Sequence, residues 1–548
     1  MNKQRAIVIV CWLGWLATTS VGLYADTNHA GIYFSKKSYI ETPLPNYEKS
    51  KNLLPAPILD GNPEWVEMYW TTWKIAFWKM EKPLKGSPLV SNWQDEAFCP
   101  HIFQWDTIFM MMFGRYGHQA FPAIQSLDNF YCRQRPSGYI CREYVQTNGV
   151  EWPEGGWDNT VNPPLFSWAE VEYSRVTGDK SRFAMVLPVL EKYAEWLNRD
   201  GILKGKEAKE VKDCEANGRL SKNSVHKLYW NTPLGSGMDN TPQPKTNGTG
   251  WVETSTQMVL MYDNLAIMCD ELGRSDKAAT FRAEAKAIGE RINKWCWNEQ
   301  DGIYYVVFAD GKQFKKKTIG AFWPLLAGIA SKAQAEKLVA HLKNKNEFWR
   351  LVPFSSLSAD EKEYNPKGGY WHGGVWAPTD FMVIKGLEKY GYNDFAALAT
   401  EKYLTSMASV FKSRDTNVVG RRFGTIWENY APDSFNHGTP SAGDFVGWSG
   451  CGPIALLIEN VIGLRADAAN NRIVWHLHRT DRHGIERLHV GNATLSLICE
   501  KRAAADSPAV IALTSDKLFK VQIIHPNGTE TISLQPGKTH AATIPGKH

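Results

Sequence analysis

From about residue 60 to about residue 465 the sequence keeps one texture: helical stretches with recognisable caps, separated by loops dense in Gly, Pro and Trp. Ser331-Lys332-Ala333-Gln334 has the spacing of a capping box, and Ala335, Leu338, Val339 and Leu342 then fall on one helical face. A helix over about 255–271 stops at Gly273, and Ser275-Asp276 opens an Ala-rich helix to about 295. Further helices fit about 184–198, 378–390, 393–411 and 452–463. Long helices broken by such loops predict a mainly α fold, a helical toroid or bundle with its function in the loops.

Outside this run the texture differs. Residues 1–25 read as a signal peptide: Lys3 and Arg5 precede an apolar run from Ala6 to about Leu16, with cleavage expected after Ala25. That run is short for a membrane span, and no later stretch is apolar enough to cross a bilayer. The expectation is export, to the periplasm, with no membrane span once the signal is removed. Residues 26–60 are polar and Pro-containing, an extended segment ahead of the helical domain at 61–465. From 466 to 548 short β-rich segments such as RIVWHLH, ATLSLICEKR, AVIALTS and KVQIIHP alternate with Gly, Pro and Asn. They predict a small C-terminal β-sandwich-like domain without a catalytic cluster, structural in role, with glycan binding as the alternative.

The formal charge of +5 is spread over 548 residues without a basic run, which gives nucleic-acid binding no electrostatic support. Aromatics are abundant, with 23 Trp, 23 Phe and 21 Tyr, and many Trp sit in polar, Gly-rich surroundings, as in WPEGGWDN and GGYWHGGVW. Flat apolar sugar faces stack on rings while hydroxyls need polar partners, so the set points to an oligosaccharide partner. The nine Cys include Cys11 in the leader and show no metal-type C-x-x-C pairs. Cys132 and Cys141 flank the turn at Pro136-Ser137-Gly138 and are near enough in sequence to bridge; buried thiols are the expectation for most of the rest.

Two loops set a carboxylate near Trp in segments bounded by Gly and Pro: Asp239 in GSGMDNTP, with Trp230 upstream, and Glu428 in GTIWENYAP. Only the fold can bring them together, since 428 − 239 = 189 residues separate them. Glycoside hydrolysis needs such a pair, one carboxyl protonated to serve the leaving oxygen and one ionised to activate water or attack carbon. A partly desolvated site raises the acid's pKa so that it keeps its proton near neutral pH.

Together GSGMDNTP, WENYAP, GGYWHGGVWAP, FQWDT, PPLFSWA, PFSSLSADEKEY and GDFVGWSGCGP resemble glycoside hydrolase family 63 and the related family 37 trehalases, over roughly residues 60–465. The resemblance implies an (α/α)6 barrel with a pocket at one end. It makes Asp239 the general acid and Glu428 the general base of an inverting hydrolysis, with the carboxyl groups ~6.5–9.5 Å apart. It also places Asp106, in Trp105-Asp106, on sugar hydroxyls. Trp157, Asn159, Trp371, Trp376, Tyr430 and Trp448 are the further candidates for lining the pocket. His372 stands in Trp371-His372-Gly373-Gly374 where relatives often carry Arg, so a guanidinium fork is missing there and the sugar or aglycone is expected to differ.

The expected activity is that of an exo-α-glycosidase, an α-glucosidase on short oligosaccharides. A trehalase, a glucosyl- or mannosylglycerate hydrolase, and a glycan-binding toroid without turnover are the alternatives; the short N-terminal plan is similar to that of the hexosylglycerate hydrolases. His101, His118 and His437 have no metal-type spacing, and neither catalytic role calls for a cofactor; a structural Ca²⁺ is not indicated.

Overall fold

The computed structural model describes residues 37–96, 99–152, 161–198, 221–222, 226–244, 249–412 and 424–546. Twelve helices in chain order build its main body: α1 Pro63–Trp78, α2 Gln104–Gly114, α3 Asp128–Tyr131, α4 Phe166–Thr177, α5 Phe183–Leu197 and α6 Val252–Glu271, then α7 Ser275–Trp295, α8 Trp323–Ala327, α9 Lys332–Lys343, α10 Ala377–Lys389, α11 Asn393–Lys412 and α12 Gly452–Val461. Burial sorts them into two layers. Every residue of α2 and α12 is buried, whereas α7 buries only 5 of its 21 and α9 only 4 of its 12. A helix buried all round belongs inside, and one with a single apolar stripe belongs outside.

The even-numbered helices close a ring, α2 on α4, α4 on α6, α6 on α8, α8 on α10, α10 on α12 and α12 back on α2. Among the odd-numbered helices α7 packs on α6, α5 on α4 and α6, and α1 and α11 on α12. This is the expected α/α toroid. Local signals set several boundaries. Ser331 caps α9, with both capping-box hydrogen bonds to Gln334 formed. Gly273, at φ +69, ends α6 and turns the chain directly into α7.

The β-domain has two sheets. One is antiparallel in the order Ala56–Leu59, His483–Val490, Ala493–Cys499, Ala509–Ser515, His540–Ile544. The other runs Leu464–Asp467, Arg472–His476, Phe519–His525, Gly528–Leu534, with its central pair parallel. Alternate residues of Ala493–Cys499, Ala509–Ser515 and Phe519–His525 are buried, as two facing sheets require. Two expectations change here. The segment before residue 60 is not merely extended: Tyr47–Ser50 is helical, and Ala56–Leu59 is the edge strand of the C-terminal sheet, where Pro57 is tolerated. Strand His483–Val490 escaped the sequence because its register shifts between Ile485 and Leu488, which breaks the alternation.

The sandwich sits against the end of the toroid where α4 and α10 finish. Gly491 N–H donates to Val176 O at 2.8 Å, and Arg465 pairs with Glu388 at 2.8 Å. Cys132 is a thiol directed at the carbonyls of Asn129 and Pro88, so the bridge to Cys141 is not formed. The signal peptide lies outside the described residues.

Candidate active site

Since outer and inner helices alternate along the chain, the loops preceding the inner helices gather at one end of the ring. Helix N-termini point there, and their partial positive charge favours carboxylates. Asp106 lies in the first turn of α2, loop 231–244 precedes α6, loop 364–376 runs into α10, and loop 424–449 leads to α12.

Each loop is fixed by contacts its sequence makes possible. Gly237 has φ +78 and lies so close to Trp105 that a Cβ would stand 2.8 Å from the ring. Ser236 Oγ donates to Pro233 O at 2.7 Å and accepts from Met238 N at 3.2 Å, tightening the turn before Asp239. Asn240 staples this loop to the next: its Oδ1 accepts the Trp371 N–H at 2.8 Å and its Nδ2 donates to Gly369 O at 3.1 Å. Tyr430 and Val375 exchange backbone hydrogen bonds at 3.0 and 2.9 Å, joining the Glu428 loop to the same segment. Glu428 itself is held by Trp448 Nε1, which donates to its carbonyl at 2.8 Å.

Between these anchors sits Tyr370, at φ +62. Its hydroxyl donates to Glu428 Oε1 at 3.1 Å and lies near enough to Asp239 to lower that carboxyl. A hydroxyl has one proton to give. It is given to Glu428, which suits an ionised acceptor there. Glu428 Oε2 takes a second donor, the Ala442 N–H at 3.0 Å. This favours an ionised Glu428 and a protonated Asp239.

Burial is the main cause raising both groups, Glu428 to about 7 and Asp239 to about 6. Asp239 is exposed toward the opening, yet protein crowds it closely enough that burial still dominates. Arg142 pulls Asp239 down and Glu143 opposes it. Arg142 is itself paired with Glu143 at 2.8 Å, and Glu143 with His101 Nδ1 at 2.7 Å. Burial weighs more on Glu428 and would leave the proton there, whereas the donor pattern places it on Asp239. The donors on Glu428 decide, because two hydrogen-bond donors on one carboxyl suit its ionised form. Behind them Asp106, Asp95 and Glu96 are buried and raised in turn, so this end is far less negative than its residue content suggests.

The structure thus brings Asp239, Glu428 and Asp106 together and corrects the aromatic expectations. Trp371 and Trp376 stack on each other at 4.2 Å and are 1% and 0% exposed. The Tyr430 hydroxyl accepts the Trp427 N–H at 3.3 Å, and Trp105 is covered by Gly237. These rings, with Trp448, are the buried wall that holds the carboxylates; they do not present open faces to a sugar, because their rings pack on one another and on the loops. His372 is half-buried, with its N–H directed at Gly369 O. Trp157 and Asn159 lie outside the described residues. Tyr370, Asn240 and Arg142 were not singled out from sequence; Tyr370 stood inside GGYWHGGVW, but its role is visible only once both carboxylates are in place. Among the described residues no group of three His, Cys, Asp or Glu is arranged to hold a metal.

Comparisons with known proteins agree with this architecture. The chain is 27% identical over 450 residues to an uncharacterized protein of Borreliella burgdorferi, covering 80% of this chain and 88% of that one. It is 31% identical over 130 residues to a cytosolic neutral trehalase of Kluyveromyces lactis, covering 23% of this chain and 17% of that one. Its fold is similar to the family 63 mannosylglycerate hydrolase of Thermus thermophilus, solved in complex with glucose, with a TM-score of 0.53, 16% identity and coverage of 71% and 99% of the two chains. A family 78 rhamnosidase of Bacillus sp. gives a TM-score of 0.60 at 13% identity, over 87% of this chain and 43% of that one. Residues 99–449 match the mannosylglycerate hydrolase MGH1-like glycoside hydrolase domain. The chain belongs to that family of glycoside hydrolase domains.

Proposed function

We propose that the protein is an exported, inverting exo-α-glycosidase in which Asp239 protonates the glycosidic oxygen and Glu428 activates a water. The observation that carries this reading is the pair of donors on Glu428, the Tyr370 hydroxyl and the Ala442 N–H, with Asp239 close by. Asp106 lies beside both and supports a role in holding sugar hydroxyls. The substrate on this reading is a short α-linked oligosaccharide, an α-glucoside first.

A second substrate has its own support. Arg142 acts electrostatically on Asp239, and an anionic aglycone near the acid would meet its guanidinium. A hexosylglycerate fits that chemistry, and the family match points the same way. Export rests on the charged and apolar N-terminal stretch.

The test is proton NMR of fresh digests of α-linked disaccharides, trehalose, glucosylglycerate and mannosylglycerate, read before mutarotation. A β-anomer as the first product supports inversion, and the ratio of kcat/KM values fixes the substrate. An α-anomer as the first product would reject the mechanism. Mass analysis of the secreted chain should give Asp26 as its first residue.

A further inference from the structure

At the end of the ring opposite the paired carboxylates, a cavity of about 410 Å³ opens between the last turns of α4, α6 and α10 and strand Leu464–Asp467. Its volume is within the ~300–1,000 Å³ usual for small-molecule sites. It is separate from the catalytic end. A column of rings lies between them, Trp105 on Phe109 at 4.8 Å, Phe109 on Trp168 at 5.9 Å and Trp168 on Phe381 at 6.2 Å.

Most of the charge around the cavity is already matched. Glu172 pairs with Arg115 and Arg175, Glu459 with Arg115 and Lys385, and Glu388 with Lys385 and Arg465. Four polar groups on its walls are not matched. Asp263 has neither a hydrogen bond nor an ion pair among the described residues, and Lys389 influences it across the gap without reaching it. Lys389 gives two N–H groups to Leu326 O and Ala327 O, at 3.1 and 3.2 Å, and has a third to offer. Asn264 donates to Leu260 O at 2.7 Å and leaves its side-chain oxygen without a donor. The Trp168 indole N–H has no acceptor among the described residues, although the residue is only 4% exposed. Polar groups with open valences on a cavity wall are where a ligand's own donors and acceptors find partners.

The unmatched set is two donors and two acceptors beside the apolar Leu260, Ile267 and Phe381. With the remaining charges nearly balanced, neither a strong anion nor a strong cation is called for. A hydroxyl both donates and accepts, and several on one small carbon frame would satisfy all four groups. We infer that this basal cavity binds a small neutral polyol or monosaccharide between Asp263, Asn264 and Trp168, at a site independent of the catalytic pocket.

The experiment is a ligand-observed NMR titration of the full mature chain with glucose, mannose and glycerol, repeated on Ile267→Trp and Asp263→Leu. Ile267→Trp fills the cavity mouth; Asp263→Leu removes its unpaired acceptor without adding bulk, so the outcome does not hang on one variant folding. The expected result is a saturable binding component that weakens at least tenfold in both variants, while kcat/KM on the enzyme's substrate stays within twofold of wild type. Titrations that superimpose for wild type and variants, or an absence of saturable binding by all three probes, would overturn the inference. Displacement of the sugar by inorganic sulfate would overturn it too, since the cavity would then be an anion site.

Discussion

Tyr370 holds a left-handed backbone conformation that costs a non-glycine residue of order 1 kcal/mol or more. The conformation places one hydroxyl between two carboxyls that face different loops. With groups raised to about 6 and about 7, kcat/KM should be bell-shaped, with limbs near those values. Below the lower limb the base is protonated and idle; above the upper limb the acid has lost its proton. The Tyr370 hydrogen bond lowers both groups, so Tyr370→Phe should move the bell to higher pH and reduce kcat about tenfold or more. A pH–rate profile of both proteins checks this. A wild-type profile that is flat from roughly pH 5 to pH 9, or an unmoved bell in the variant, would sink it.

Among the elements, the Asp239 loop depends on Gly237. A side chain there meets the Trp105 ring and an unfavourable φ together, so the loop must lift off α2 and carry Asp239 with it. Gly237→Ala should therefore lower kcat/KM by about 10²-fold through misplacement of the acid, with KM changed far less. Steady-state kinetics decide; an active Gly237→Ala enzyme would mean the loop is not the rigid carrier described. This loop was legible because Gly and Pro are local signals, and so were the capped helices α6, α7 and α9. The five-residue α8, with Pro324 in its first turn, was not legible, since no periodicity develops over that length. Nor could the sequence tell that Trp371 and Trp376 would stack on each other, because the same ring suits a wall or an open platform. Asn240, Arg142 and Tyr370 act through partners more than a hundred residues away in several cases, and only the closed ring supplies those partners.

The whole molecule sets opposite electrostatic conditions at its two ends. At the catalytic end burial raises both Glu428 and Asp239, so ionising the pair costs stability as pH rises from near 4 to 4.5 through about 6 to 7. At the base Glu459 is equally buried, but Arg115, Lys385 and Tyr116 hold it down to about 2. Its contribution is full above pH 4.5 and is lost as pH falls toward 2. A depression from 4.5 to about 2 corresponds to about 3 kcal/mol, and removing the charge leaves Arg115 with Glu172 and Lys385 with Glu388 as their remaining carboxylate partners. Glu459→Gln should therefore melt well below wild type at neutral pH, with the gap closing in acid, and should keep most of its activity because the catalytic loops lie at the other end. Glu428→Gln should abolish activity and behave in the opposite sense: its melting temperature relative to wild type should rise between about pH 5 and pH 8. Thermal melts of the three proteins across that range separate the two ends. Parallel pH curves for all three would show that neither carboxyl is held away from its ordinary value, and the division of the toroid into a strained catalytic end and a stabilised base would fall with them.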